Sequence, residues 1–361
     1  MDTAGNLKFL CRCLTPAVGV SEGVKPQVLT GSVSWRATMQ LAGNHLVTPS
    51  LADAFRRHGL FDALPEDIQE YLETVTTLNR VRNRAFRDEL TNIAGLLNGI
   101  GIEPVALKGA IALVPDQYPG AEDRVIGDLD LLVPGDRVWE AHETLLRSGY
   151  RRAPKDRMLA RDREDMHHVQ PLLHPGLPVT VELHVRMLRD ERDDACLRAG
   201  MGEPALSSLN GARIRVPDLA TRLLHNFLHT HIQDRGNVYF SVNHRQLLEF
   251  VRLRDFAGAL DWRVLAERLQ PGRRRDLAVY LLLAEYWYGQ PYPAELPMPR
   301  GSRSAFGLAR RVQTSGAWSR AFSPYFLTRR YLPAVLKLPY RLMTPSWFLL
   351  KYRALRAGEP L

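Results

Sequence analysis

Cysteine is scarce. Cys11, Cys13 and Cys196 are the three in 361 residues. An odd number, with no second pair to answer Cys11-x-Cys13, argues against a disulfide framework or a zinc ribbon and for a reducing, cytoplasmic setting. Long apolar runs are missing as well. The longest, residues 277–289, is interrupted by Glu285 and is too short to cross a bilayer. Residues 1–19 hold a short apolar patch without the core of a secretory signal. Acidic charge is in deficit, 39 Asp and Glu against 48 Lys and Arg, for a net charge of +9. That surplus favours phosphate-bearing partners (nucleotides, nucleic acid or an anionic membrane face) without choosing among them. Neither internal repeats nor low-complexity tracts occur, and 45% hydrophobic with 24% charged residues is the balance of a soluble globular protein.

What is present falls into blocks. Residues 1–35 read as irregular, with scattered Gly, Pro and Ser. Residues 36–100 carry a helical period, with Leu72, Val75, Leu78, Val81, Phe86, Leu90, Ile93 and Leu97 at three- to five-residue intervals before Gly99 and Gly101. The texture changes over 101–215. A short buried strand runs into Lys108-Gly109, a second holds Asp128-Leu129-Asp130 and stops at Pro134, and a third alternates over 177–187. A helix between the last two starts near Asp136 and stops at Gly149. The helical period returns over 216–295, and residues 296–361 form a basic, aromatic tail. The expected fold is therefore α+β: a small mixed-sheet core with a helical N-terminal segment and a helical C-terminal domain.

Alternation along a strand decides where the chemistry lies. Asp128 and Asp130 share one face, and so do Thr180, Glu182 and His184 of the third strand. If those strands pair, three carboxylates meet in an apolar setting, where they repel one another unless divalent cations neutralise them. Asp128, Asp130 and Glu182 are thus candidate metal ligands and catalytic groups, for a pair of Mg²⁺ or Mn²⁺ ions. Lys108 and Gly109 stand where backbone N–H groups and a cation receive phosphate, and Arg124 lies just before the aspartates. His184 can orient Glu182 or reach a phosphate, or simply be a satisfied structural histidine. His167-His168 sits in a loop, and exposure to solvent is its plain expectation. His225 and His229 have zinc-compatible spacing, but Asn226 stands where a zincin carries glutamate, which favours packing. The tail suits an interfacial membrane helix, stacking on single-stranded nucleic acid, or packing onto the helical domain, the last being favoured.

Leu107-Lys108-Gly109, then Tyr118, Arg124 and Asp128-Leu129-Asp130-Leu131-Leu132-Val133, resemble in order the signature of an uncharacterised nucleotidyltransferase family of the DNA polymerase β-like superfamily. The strand around Glu182-Leu183-His184, the pair His167-His168 and Asp261-Trp262 fit as well, so the resemblance spans about residues 37–295. It implies a nucleotidyltransferase fold and metal-dependent transfer of a nucleoside monophosphate from an NTP, expected to be ATP, with release of pyrophosphate. Asp128 and Asp130 would bind metal, Glu182 would complete the set and serve as base, and Gly109 would face the triphosphate. The acceptor would be a small molecule, peptide or protein; nucleic acid is not favoured, and peripheral membrane contact through the tail is an option. Ala110 replaces the serine usual after that glycine, and Val185 the tryptophan that often follows the histidine. The alternative reading is a catalytically weak nucleotide-binding module that docks a partner or membrane through its tail.

Overall fold

The computed structural model describes residues 3–15, 21–153, 167–174, 176–177, 179–326 and 328. Two compact units divide it, residues 1–307 and residues 308–361. The first unit opens on helices, not on irregular chain. Thr3–Leu14 (α1) and Ser21–Leu29 (α2) precede Trp35–Asn44 (α3) and Thr48–Arg57 (α4). The expectation for residues 1–35 is corrected here. α1 buries Phe9, Leu10, Cys11, Cys13 and Leu14, and that burial outweighs the weak helix formers which made the segment read as a loop. Burial also pushes the Cys11 thiol up to about 12, so it packs as a small apolar group.

The long helix Glu66–Gly99 (α5) ends where Gly101 takes a left-handed backbone, φ +73°. Its buried face differs from the one the aliphatic spacing predicts. Leu78 and Val81 are exposed, and Thr76, Asn79 and Asn83 line the inner face beside Leu72 and Phe86. The asparagines have partners there: Asn79 Nδ2 donates to the Glu122 carbonyl at 2.9 Å and Asn83 Nδ2 to the Arg124 carbonyl at 2.9 Å. The turn that feeds the aspartate strand is thereby held to α5.

The sheet follows. Val105–Ala106 (β1), Asp128–Leu132 (β2), helix Val138–Arg147 (α6), Arg151–Arg152 (β3), Leu172–Leu173 (β4) and Thr180–His184 (β5) lead through Glu191–Ala199 (α7) to the hairpin Ala205–Leu209 (β6) and Ala212–Val216 (β7). The order is β3-β4-β5-β2-β1-β7-β6. β2 runs parallel to β5 and antiparallel to β1. The β6–β7 hairpin lies outside the three predicted strands. Its turn is Asn210-Gly211, both at positive φ (+49° and +89°), the pairing that a two-residue hairpin requires.

The helical region comprises Leu219–Phe227 (α8) running into a π-helical turn over Leu228–Gln233, then Gly236–Tyr239 (α9), His244–Ala257 (α10), Trp262–Glu267 (α11) and Pro271–Tyr288 (α12). Two hydrophobic cores result. Leu129, Leu131, Val181 and Leu183 pack with Phe86, Leu90 and Leu145 on the α5–α6 side. Leu107, Leu132 and Met187 join Phe227, Phe250 and Trp287 on the helical side. Asp128 and Asp130, alternating with Leu129 and Leu131, therefore turn toward the helical region. Helix Ser302–Thr314 (α13) begins in the first unit and ends in the second.

Candidate active site

The parallel register of β2 and β5 sets the geometry. Asp128 pairs with Thr180, Asp130 with Glu182 and Leu132 with His184, so same-facing side chains line up across the two strands. Ligand atoms of Asp130, Glu182 and His184 all lie within 4.8 Å of one another. Asp130 is fully buried. Its Oδ1 accepts from Lys108 Nζ at 2.7 Å and from His184 Nε2 at 2.8 Å. Its Oδ2 is buried with no hydrogen-bond partner. His184 Nε2 also stands 3.5 Å from Glu182 Oε2, and one imidazole thus spans both carboxylates.

Charge in the cluster is mutually adjusted. Burial opposes ionisation of Asp130, yet the Lys108 charge and the His184 hydrogen bond hold its carboxyl far below the usual carboxylate range. Burial likewise opposes a charged His184, and its bonds to Asp130 and Glu182 raise it nonetheless. Glu182 is raised by burial and lowered more by the His184 hydrogen bond. Asp128 is the exception: burial and the neighbouring Asp130 charge raise its carboxyl. Two carboxylates are thus held ionised while a third is poised higher, an arrangement suited to a cation that completes the set.

A divalent cation fits these residues. Hard oxygen donors converge, and the orphaned Oδ2 of Asp130 is a buried lone-pair site that a cation would satisfy. The expected ligand set was Asp128, Asp130 and Glu182; the tightest group in the structure is Asp130, Glu182 and His184, with half-buried Asp128 along the same face. The signal for His184 was present in the alternation of its strand.

Lys108 opens a 3₁₀ helix, Lys108–Leu113. It does so in a left-handed conformation, φ +46°, uncommon for a lysine and of the kind that clusters at functional sites. Gly109 is buried, and a Cβ there would stand 2.5 Å from Arg124 Nη1. Arg124 takes the space. Its Nη2 reaches Glu249 Oε2 of α10 at 2.6 Å and its Nε the same oxygen at 3.2 Å, with both side chains buried. This ion pair joins the entry of β2 to the helical region. Glu249, together with the asparagines of α5 that hold the same turn, was not singled out from sequence.

The histidine pair corrects another expectation. His167 is buried and His168 bridges to His184, the three rings lying 4.6, 5.2 and 5.3 Å apart between centroids. Both stand over the carboxylate cluster, with His168 Nε2 3.9 Å from Glu182 Oε2. Beside Lys108 opens a small recess lined by Arg222, His225, Asn226, His229 and Glu249. Burial lowers His225 to about 3, and its Nε2 donates to the Met187 carbonyl at 3.1 Å.

A mixed sheet presenting buried acids and a lysine toward a helical region makes this an α+β fold. The sequence pattern of the family described as uncharacterised nucleotidyltransferase matches residues 31–289, and the chain belongs to that family. No curated protein matches it. Family membership supports a role in nucleotidyl transfer.

Proposed function

We propose that this chain is a metal-dependent nucleotidyltransferase that moves a nucleoside monophosphate from an NTP, ATP first, to a hydroxyl of a small-molecule, peptide or protein acceptor. The observation that carries the reading is the state of Asp130: ionised at the centre of the cluster, one oxygen taken by Lys108 and His184, the other open. Asp128, Asp130 and Glu182 would hold Mg²⁺ or Mn²⁺, with His184 close enough to share a site. When bound, such ions neutralise the phosphates and make an acceptor hydroxyl more acidic. Glu182, held ionised, accepts the proton that leaves the acceptor. Lys108 balances Asp130, and its ammonium would serve a phosphate of the bound nucleotide. His184 keeps Asp130 and Glu182 at a fixed separation. Arg124 acts at one remove, by fixing the turn that launches β2. Ala110 brings no hydroxyl to this turn, so the β- and γ-phosphates rest on Lys108 and backbone N–H groups.

Labelled nucleotide tests the proposal. The protein is incubated with α-labelled or γ-labelled NTP, Mg²⁺ and a panel of acceptors. Label from the α-position in product, pyrophosphate released, and loss of both in Asp130→Asn are expected. Product marked only by γ-label would make it a kinase.

A further inference from the structure

The net charge of the chain resides in one unit. Residues 1–307, which hold the carboxylate cluster, carry 38 Lys and Arg against 38 Asp and Glu and are formally neutral. Residues 308–361 carry ten basic residues and one acidic residue, Glu359, and so account for the whole +9. A nucleotide site balanced by local pairs does not need that charge, which leaves it to be explained separately.

Where the second unit is described, it is helical and amphipathic. Arg310 and Arg311 lie exposed on α13. A second helix over 316–326 places Trp318, Phe322 and Phe326 four residues apart along one side, with successive ring centroids 6.1 Å apart. Arg320 and Ser323 fall on the other side at helical spacing. Trp318 is 38% and Tyr325 37% exposed, and the Arg311 guanidinium lies 5.5 Å from the Trp318 ring. Among the described residues no helix is long and apolar enough to cross a membrane. Residues 308–361 as a whole add further aromatics, ten leucines and five prolines to the basic residues.

We propose that the described helical residues 308–326 dock this protein on an anionic lipid surface. Trp318 and Tyr325 settle at headgroup level, and Phe322 and Phe326 enter the acyl boundary. Charge complementarity selects the surface: each Lys or Arg near an anionic leaflet strengthens partitioning about fivefold. The leucines separate this partner from single-stranded nucleic acid. Base stacking uses π-faces, which leucine does not have, whereas its branched alkyl side chain gains from burial in lipid.

Flotation of the full-length protein tests this. Phosphatidylcholine vesicles containing phosphatidylglycerol are compared with phosphatidylcholine alone. Binding to the anionic vesicles only, falling as salt is raised, is expected. Arg310→Glu/Arg311→Glu/Arg320→Glu should weaken it by more than about a hundredfold, and Trp318→Ser by about tenfold. Each variant is checked for an unchanged melting temperature, so that loss of binding is not loss of fold. Absence of flotation with anionic vesicles overturns the proposal. So does binding of the wild type to single-stranded oligonucleotide in preference to vesicles, or a triple variant that floats like wild type. The readout is independent of nucleotide turnover and stands or falls apart from the site.

Discussion

The two units handle charge in opposite ways. In residues 1–307, cations and anions are equal in number and two ion pairs lie inside the fold: Lys108 with Asp130, Arg124 with Glu249. In residues 308–361, ten cations stand against a single anion in the sequence, and the described helix over 316–326 turns Trp318 and Tyr325 partly to solvent. Charge buried in a pair sets local geometry and pKa values and contributes nothing to net charge. Unbalanced surface charge creates a field and selects partners by sign. A net charge of +9 thus describes the second unit and says nothing about the carboxylate cluster.

The comparison breaks if the pairs of the first unit are not essential. Asp130→Asn should have the largest effect. It leaves the Lys108 ammonium buried without its counter-charge, with an expected loss of about 3–5 kcal/mol in denaturant unfolding and turnover reduced by roughly a thousandfold. Adding Lys108→Met should recover part of the stability and none of the turnover. Glu249→Gln should destabilise by about 3 kcal/mol, because Arg124 then stays buried and charged. Gly109→Ala strikes the same pair from the other side, since the new methyl meets Arg124 Nη1, and should lose about 1–3 kcal/mol.

Metal sharpens the contrast. Mg²⁺ at about a hundred times its Kd should raise stability by about 2.7 kcal/mol in thermal melts, and Asp130→Asn should abolish that gain. A gain kept in the variant would move the cation site elsewhere. A smaller effect concerns Asp123, 4% exposed, whose carboxyl is pushed up to about 6 by burial and the nearby Asp53 charge. Because the folded pKa is raised, the neutral form is favoured in the fold, and stability declines as pH rises from the ordinary aspartate range through about 6. Asp123→Asn should therefore exceed wild type by about 1–2 kcal/mol near pH 8 and show no gain near pH 3.5. Smallest of all, Arg310→Gln/Arg311→Gln/Arg320→Gln should leave turnover within about twofold and stability within about 0.5 kcal/mol.

Much of the site could be read along the chain because strand alternation is local. Asp128, Asp130, Glu182 and His184 fall on matching faces whatever surrounds them, and the β2–β5 register aligns them. The β6–β7 hairpin was equally legible in Asn210-Gly211, a local signal passed over. The face of α5 was not. Asn79 and Asn83 look like solvent residues, and their inward role exists only because the 121–124 turn offers carbonyls to them. Arg124 shows the same limit: a basic residue beside an acidic pair reads as a phosphate contact, and only α10, far along the chain, supplies Glu249.

The sequence by itself determined the period-2 faces, the run of Lys108-Gly109 ahead of the aspartates and the basic, aromatic character of the last residues, since each depends on neighbours within a few positions. Tertiary structure decided that α1 and α2 are helices, that His167 and His168 stand over the carboxylates, and that Arg124 pairs with Glu249. It also decided the division at residue 307 that separates a neutral body from a basic one. Those outcomes depend on burial and on partners distant in sequence, and a charge or an apolar face acquires its meaning only from what the folded chain sets against it.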